Sequence, residues 1–337
     1  MTQTVEDFIK TANKTHGVGA VIRLGDKPSW KYGENVIPTG SQSLNYALGI
    51  GGIPRGRITE VLGNPSAGKS TLCLHIVAEA QAMGLNTLYI DAEHALDVFY
   101  ADRIGVNVDD LFLHQPTYGE QALRIADEAI RSGSIGLIVV DSVAALVPKR
   151  ELDGDIGDSH MGLVARMMSQ MCRMISGSLS NANAAIVFVN QYRATMSTGG
   201  FGGPSKAPSG GSALNYAASV IIDLARVETV KEDGQSTANR TQVTVKKNKL
   251  APPYRVAEFN IVYGEGIDVL GELIDMAESF DIIKKSGSWY KDGDVTAQGK
   301  NKLSAYMQEN PEYLALVKSR VESHIAQIMK RDDDANN

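Results

Sequence analysis

The chain has 337 residues, long enough for two domains at roughly 100 to 200 residues each, and its 43% hydrophobic and 21% charged content suits a folded core without disulfide or metal staples. A net charge of −6, from 33 Lys+Arg and 39 Asp+Glu, argues on average against a nucleic-acid binder, although partners meet patches rather than totals. The longest apolar runs, 135–140 and 184–189, are strand length, far below the ~20 residues of a membrane span; with two cysteines and no signal-peptide pattern at 1–16, a cytoplasmic chain with no membrane partner is expected.

Residues 1–33 read as a small separate unit. Thr4-Val5-Glu6-Asp7 has helix-capping spacing, Val5, Phe8, Ile9 and Ala12 make a short apolar stripe, and 17–24 reads as a strand. So small a unit cannot bury its apolar side alone, so it packs on the main domain or on a neighbouring chain.

From 58 to about 267, apolar strand runs at 58–62, 87–90, 135–140, 186–189 and 220–224 alternate with helical patterns at 70–83, 120–131 and 161–175. That alternation predicts an α/β core with a mostly parallel central sheet flanked by helices. The runs 241–246 and 257–262 read as antiparallel strands at one edge. Beyond 267 the pattern turns helical, and Val317, Val321, Ile325 and Ile328 give the last helix one apolar face. Nine Lys/Arg against five Asp/Glu between 284 and 331 mark a small basic C-terminal α/β domain at 268–331; Asp332-Asp333-Asp334 begins a short acidic tail at 332–337.

Gly63-Asn64-Pro65-Ser66-Ala67-Gly68-Lys69-Ser70 fits G-x-x-x-x-G-K-[ST], and it follows a strand pattern and opens a helix pattern. Glycines let backbone N–H groups turn around phosphate oxygens, and the helix N-terminus adds partial positive charge. Lys69 would neutralise the β- and γ-phosphates of ATP and the Ser70 hydroxyl would hold Mg²⁺, with Thr71 next in the same set. Asp141, ending an apolar strand, is placed to orient magnesium directly or through water. Hydrolysis needs a group to position water, and Glu93 is the candidate base, with Asp91 and His94 as alternatives in the same turn.

Arg166 and Arg173, seven apart, share a helix face that suits phosphate contacts, while Met167, Met168, Met171 and Met174 read as core packing. The segment 192–211 holds six Gly, two Pro, Arg193 and Lys206 and no acid, which predicts a long functional loop. The segment 153–162 is acidic and in isolation a poor nucleic-acid signal.

Together, the stretches Asp91-Ala92-Glu93-His94-Ala95-Leu96-Asp97, VVDSVAAL at 139–146, GDSHMG at 157–162, Arg166-Met167-Met168-Ser169-Gln170 and Tyr263-Gly264-Glu265-Gly266-Ile267 resemble the bacterial RecA recombinase family, over roughly 5–328. The resemblance implies a RecA-like P-loop ATPase core at 34–267, preceded by a polymerisation helix and strand, with ATP bound between protomers of a helical filament. It implies Lys69, Ser70, Glu93 and Asp141 at the phosphates and magnesium, and Asp97, Tyr100 and Gly264 around the adenine, with Tyr100 stacking on the base. Gln191 matches the glutamine that senses the γ-phosphate, and Lys247 and Lys249 match lysines that reach the neighbouring subunit's ATP; read alone, 246–249 is a solvated basic turn. The loops at 153–162 and 192–211 become DNA-binding loops, with contacts from Met161, Gly162, Arg193, Met196, Gly210 and Gly211, and Met161 and Met196 or Phe201 able to wedge between bases.

Three departures from the family stand out. The second loop is about two residues longer than usual, with Thr195 in place of a basic residue. Val227-Glu228 and Thr241-Gln242 lack the small and basic residues that relatives present to the repressor they help cleave, so a repressor coprotease partnership is doubtful. The acidic tail is short. The implied function is a DNA-dependent ATP hydrolase that forms a filament on single-stranded DNA and pairs and exchanges it with double-stranded DNA in recombination and repair. A hexameric helicase motor, a non-hydrolysing ATP-gated binding protein and a small-molecule kinase are the alternatives.

Overall fold

The computed structural model describes residues 4–17, 20–23, 32–155, 162–179, 182–195, 205–232 and 234–335. Helix α1 (Val5–His16) starts where Thr4 accepts a hydrogen bond from the Asp7 N–H at 3.2 Å, as the capping spacing predicts. None of its residues is buried, so Val5 and Phe8 lie open to solvent. The strand expected at 17–24 is not present among its described residues, 17 and 20–23. Asn13 takes both backbone groups of Val21, accepting from its N–H at 2.9 Å and donating to its carbonyl at 3.1 Å, so a local clasp replaces a ladder there.

Next come the strand β1 (Val36–Ile37), helix α2 (Gln42–Leu48) and strand β2 (Ile53–Pro54), β1 and β2 forming a small antiparallel pair. The main domain alternates as expected: β3 (Ile58–Gly63), α3 (Lys69–Ala82), β4 (Thr87–Asp91), α4 (Val98–Ile104), β5 (Leu111–His114), α5 (Gly119–Ser132), β6 (Leu137–Asp141) and the short α6 (Lys149–Leu152). Then follow α7 (Leu163–Leu179), β7 (Ala185–Thr195), β8 (Ser205–Pro208), α8 (Ala213–Ala217), β9 (Val220–Glu232), β10 (Gln235–Asn248), β11 (Val256–Val262) and β12 (Gly266–Ile267).

Strands β3 to β12 build one sheet in the order β12-β11-β10-β9-β3-β7-β6-β4-β5, with β8 paired to β7. The run from β9 to β5 is parallel and the β10 to β12 edge is antiparallel. Strands β9 and β10 extend well beyond the apolar runs that announced them, because their outer halves form an exposed, polar hairpin without the apolar signal of a buried strand. Strand β5, only partly buried at the sheet edge, was not foreseen for the same reason.

Alternating side chains of the central strands fill two apolar layers, one against α2, α3 and α4 and the other against α5, α7 and α8. Met167, Met168 and Met171 lie in the second layer, but Met174 is 42% exposed, because it falls with Arg166 and Arg173 on the outer side of α7. The C-terminal part has its own core, built by α9 (Val269–Ser279), the antiparallel strands β13 (Lys284–Ser286), β14 (Trp289–Asp292) and β15 (Val295–Gln298), then α10 (Lys300–Glu309) and α11 (Pro311–Ala335). Its start is tied to α2: buried Glu272 accepts from Ser41 Oγ at 2.5 Å and from the Ser43 N–H at 2.9 Å. The backbone of the acidic stretch 332–334 is helical and continues α11.

Candidate nucleotide and DNA site

The carboxyl ends of β3, β7, β6 and β4 lie side by side, and open α/β sheets place ligands at that edge. The turn from β3 into α3 is held open by positive φ values at Ser66 (60°) and Gly68 (92°). The left-handed backbone at Gly68 favours glycine, and a Cβ there would stand 2.2 Å from Ile261 Cδ1, so the end of that side chain would have to shift. Backbone N–H groups at the start of α3 and the buried Lys69 converge on the cradle. The Lys69 Nζ donates to the Asn64 carbonyl at 2.9 Å. Burial lowers its pKa, and the facing carboxylates of Asp141 and Glu93 oppose that shift.

Asp141 accepts from Tyr89 Oη at 2.7 Å and from the Ser70 hydroxyl; burial raises its pKa and these two hydrogen bonds oppose the rise. The side chains of Ser70 and Asp141 therefore meet, as a shared magnesium environment requires. Both are oxygen donors, a hydroxyl and a carboxylate, which suit a hard ion that keeps water and phosphate oxygens in its shell.

Glu93 lies in the turn after β4, where its Oε1 accepts from Ser142 Oγ at 2.6 Å and from Gln191 Nε2 at 2.9 Å. Of the two alternatives, Asp91 is buried and accepts from the N–H groups of Ala95 and Leu96 and from Gln115 Nε2, so it shapes the turn. His94 holds a positive φ of 55° beside it. The residues expected around the adenine also gather: Tyr100 Oη lies 3.0 Å from Thr71 Oγ1, Asp97 caps α4, and Gly264 sits against Arg103 of α4.

Lys247 and Lys249 lie elsewhere. Lys247 is in register with Ile221, which pairs with Glu60, so it stands level with the middle of β3, two strands across the sheet and about 10 Å before Gly63 along the strand direction. Its Nζ donates to the carbonyls of Asn215 and Tyr216 at 2.5 and 3.2 Å, and Lys249 Nζ reaches the Tyr216 carbonyl at 3.4 Å. Burial, then the neighbouring Lys249 charge, lowers the Lys247 pKa.

On the outer face of α7, Arg166 and Arg173 are both exposed, and Arg173 donates to Ser169 Oγ at 2.8 Å. Arg193 donates to the Ala144 carbonyl at 2.8 Å. The segment 192–211 is more ordered than a structureless loop: Tyr192 to Thr195 pair antiparallel with Ser205 to Pro208. Gly210 and Gly211 have φ near +78° and pack so closely on α7 that a Cβ at Gly211 would stand 2.9 Å from Ala165 Cβ, which places them at the base of this hairpin. Gly162 opens α7 with a φ of 80°. Met161, Met196 and Phe201 lie outside the described residues.

Sequence reasoning missed Glu60 and Asn190. Asn190 donates to Glu60 Oε1 at 2.8 Å and to the Ser209 carbonyl at 3.0 Å, in the middle of the sheet. The only signal was a glutamate, beside Thr59, inside the strand run 58–62.

The fold and site define a P-loop ATPase. The RecA N-terminal domain family model matches residues 3–268 and the RecA C-terminal domain family model 271–326, and the chain belongs to the RecA family. It is 48% identical to Protein RecA of Bifidobacterium longum over 332 residues, 98% of this chain and 83% of that protein. It is 47% identical to Protein RecA of Campylobacter hominis over 336 residues, covering 98% and 95% of the two chains. The crystal structure of the RadB recombinase shares the fold, with a TM-score of 0.51 at 22% identity over 69% of this chain and 98% of that one. The protein is a recombinase of DNA recombination and repair that hydrolyses ATP. No helix among the described residues is long and apolar enough to cross a membrane.

Proposed function

We propose that the protein assembles as a cytoplasmic helical filament on single-stranded DNA and, using ATP and Mg²⁺, pairs that strand with homologous double-stranded DNA and exchanges the two. The observation that carries this reading is the separation of the lysines from their own phosphate turn. Lys247 and Lys249 lie two strands from β3, about 10 Å or more before its phosphate end, with their amines on the α8 carbonyls, so in this reading they serve another protomer's nucleotide. Cations supplied in trans stabilise transition-state charge only in an assembled filament.

Two surfaces support self-association. Helix α1 keeps Val5 and Phe8 of its apolar stripe exposed, and among the described residues the edge strand β5 offers one unpaired side, with Phe112 and Leu113 largely exposed. In this reading 1–33 is the polymerisation segment, 34–267 the ATPase core and 268–331 a basic domain that meets duplex DNA. Arg166, Arg173 and Arg193, with Gly162, Gly210 and Gly211 shaping the two loops, line the DNA side.

Within one site, Lys69 and the α3 N-terminus bind the phosphates, Tyr100 and Gly264 flank the base, and Glu93 positions the attacking water. Magnesium, held through Ser70 and Asp141, would supply charge neutralisation between the β- and γ-phosphates. Gln191 links the phosphate end of this site to the base of the second loop through the hydrogen bond from the Ser209 N–H to its carbonyl, 3.0 Å.

ATP turnover is to be measured with and without saturating single-stranded DNA, and the same mixtures imaged by negative stain. Stimulated turnover and helical filaments are expected. Unchanged turnover would refute the reading, and closed rings would favour a helicase motor.

A further inference from the structure

Glu60 is fully buried in β3, its Oε1 accepts from Asn190, and among the described residues its Oε2 has no hydrogen-bond partner. Taking a carboxylate out of water costs several kcal/mol unless it is paired and hydrogen-bonded, so this residue is a poor choice for stability alone. Its neighbours on the same face of the sheet, Ile58, Leu62, Phe188 and Ile221, are apolar and buried. Burial raises its pKa; the Asn190 hydrogen bond and the charge of Lys247 oppose that rise.

The position of this carboxyl is specific. Ile221 of β9 separates it in register from Lys247 on β10, and alternation puts all three on the side covered by α7 and α8. On the other side, Asn190 connects it to the phosphate end of the site. The Asn190 Oδ1 accepts from the Gln191 N–H at 2.8 Å, and the Gln191 side chain bonds Glu93. A polar row, Lys247, Glu60, Asn190, Gln191 and Glu93, therefore crosses an apolar layer.

We infer that Glu60 is a positioning residue that couples the phosphate end of one ATP site to Lys247, which serves the ATP of the next protomer. The inference rests on the filament reading above. When Gln191 leaves Glu93 for a phosphate, the backbone that Asn190 braces moves with it. The balance at Glu60 then shifts from Asn190 towards Lys247, drawing on the lysine that rests against the α8 carbonyls. Because Asn190 also holds the Ser209 carbonyl, the base of the second loop is part of the same linkage.

The test is the kinetics of Glu60→Gln and Glu60→Met with and without single-stranded DNA, together with their melting temperatures. Glu60→Gln keeps an acceptor for Asn190 and removes the charge facing Lys247. The ratio of DNA-stimulated to DNA-free kcat is expected to fall about tenfold, within the usual range of coupling between sites, with KM for ATP within about twofold of wild type. Glu60→Met, which loses both links, is expected to lose stimulation further. Wild-type stimulation in Glu60→Gln would overturn the inference, as would a parallel fall of both rates with melting temperature, which marks a packing role only. Absence of stimulation in the wild type would instead overturn the filament reading, and the coupling with it.

Discussion

Gln191 donates from Nε2 to Glu93 Oε1 across 2.9 Å, joining β7 to the turn after β4. Two groups assigned different tasks thus hold each other in this state. Replacing Glu93 by Gln is expected to lower the phosphate-release rate by about 10²- to 10⁴-fold while nucleotide binding changes only a few-fold, because the loss is of water positioning. Fluorescent-nucleotide titration alongside phosphate release separates the two. Gln191→Ala is expected to keep ATP affinity and lose its response to single-stranded DNA.

The lysines make a prediction that only a mixed assembly can reveal. Glu93→Gln and the double change Lys247→Ala with Lys249→Ala should each be nearly inactive alone. Mixed in equal amounts, they should recover about a quarter of wild-type turnover, since random neighbours pair an intact Glu93 with intact lysines at one interface in four if the cations act in trans. No recovery would place both sets in the same protomer's site.

His75 gives a pH signature. It packs beside Gly40 and Gly266, its Nε2 accepts from the Ile267 N–H at 2.9 Å, and burial lowers its pKa from 6.5 to about 4. Between these values the unfolded chain is protonated and the folded one is not. The stabilisation is full above about pH 6.5 and is lost as pH falls towards 4, by roughly 3 kcal/mol in total. Chemical unfolding at several pH values should show His75→Gln with a shallower loss than wild type; equal slopes would remove His75 as the cause.

Glu228 lines a cleft of about 810 Å³ between the β9–β10 hairpin and the C-terminal part, facing Arg240, Glu258 and Lys300, and the preceding Val227 is exposed. Neither residue is small or basic. Little stimulation of self-cleavage is expected when filaments are incubated with an SOS repressor and followed on gels. Rapid cleavage would show that this surface does not decide the interaction.

Much of the site was legible because its chemistry is written in contiguous runs. The phosphate turn joins a strand to a helix within eight residues, and the acidic end of β6 follows an apolar run, so both were readable from local pattern. The misreadings have local causes too. Among the described residues of the expected 17–24 strand, Val21 is held by the Asn13 clasp, and β5 and β13 to β15 carry too few buried residues to stand out.

The sequence by itself determined the alternating elements, the cradle residues and the segregation of basic groups towards the C-terminus. Tertiary structure alone decided that β7 and β6 lie between β3 and β4, which brings Gln191, Ser142 and Glu93 together, and that β10 lies two strands to the other side of β3, which sets Lys247 apart from the phosphate turn. Strand order and register depend on which faces bury each other across the whole sheet, and no local pattern carries that information. Glu60 is the sharpest case. In sequence it is one glutamate in a short strand run, and only the neighbouring strands place it between Asn190 and Lys247.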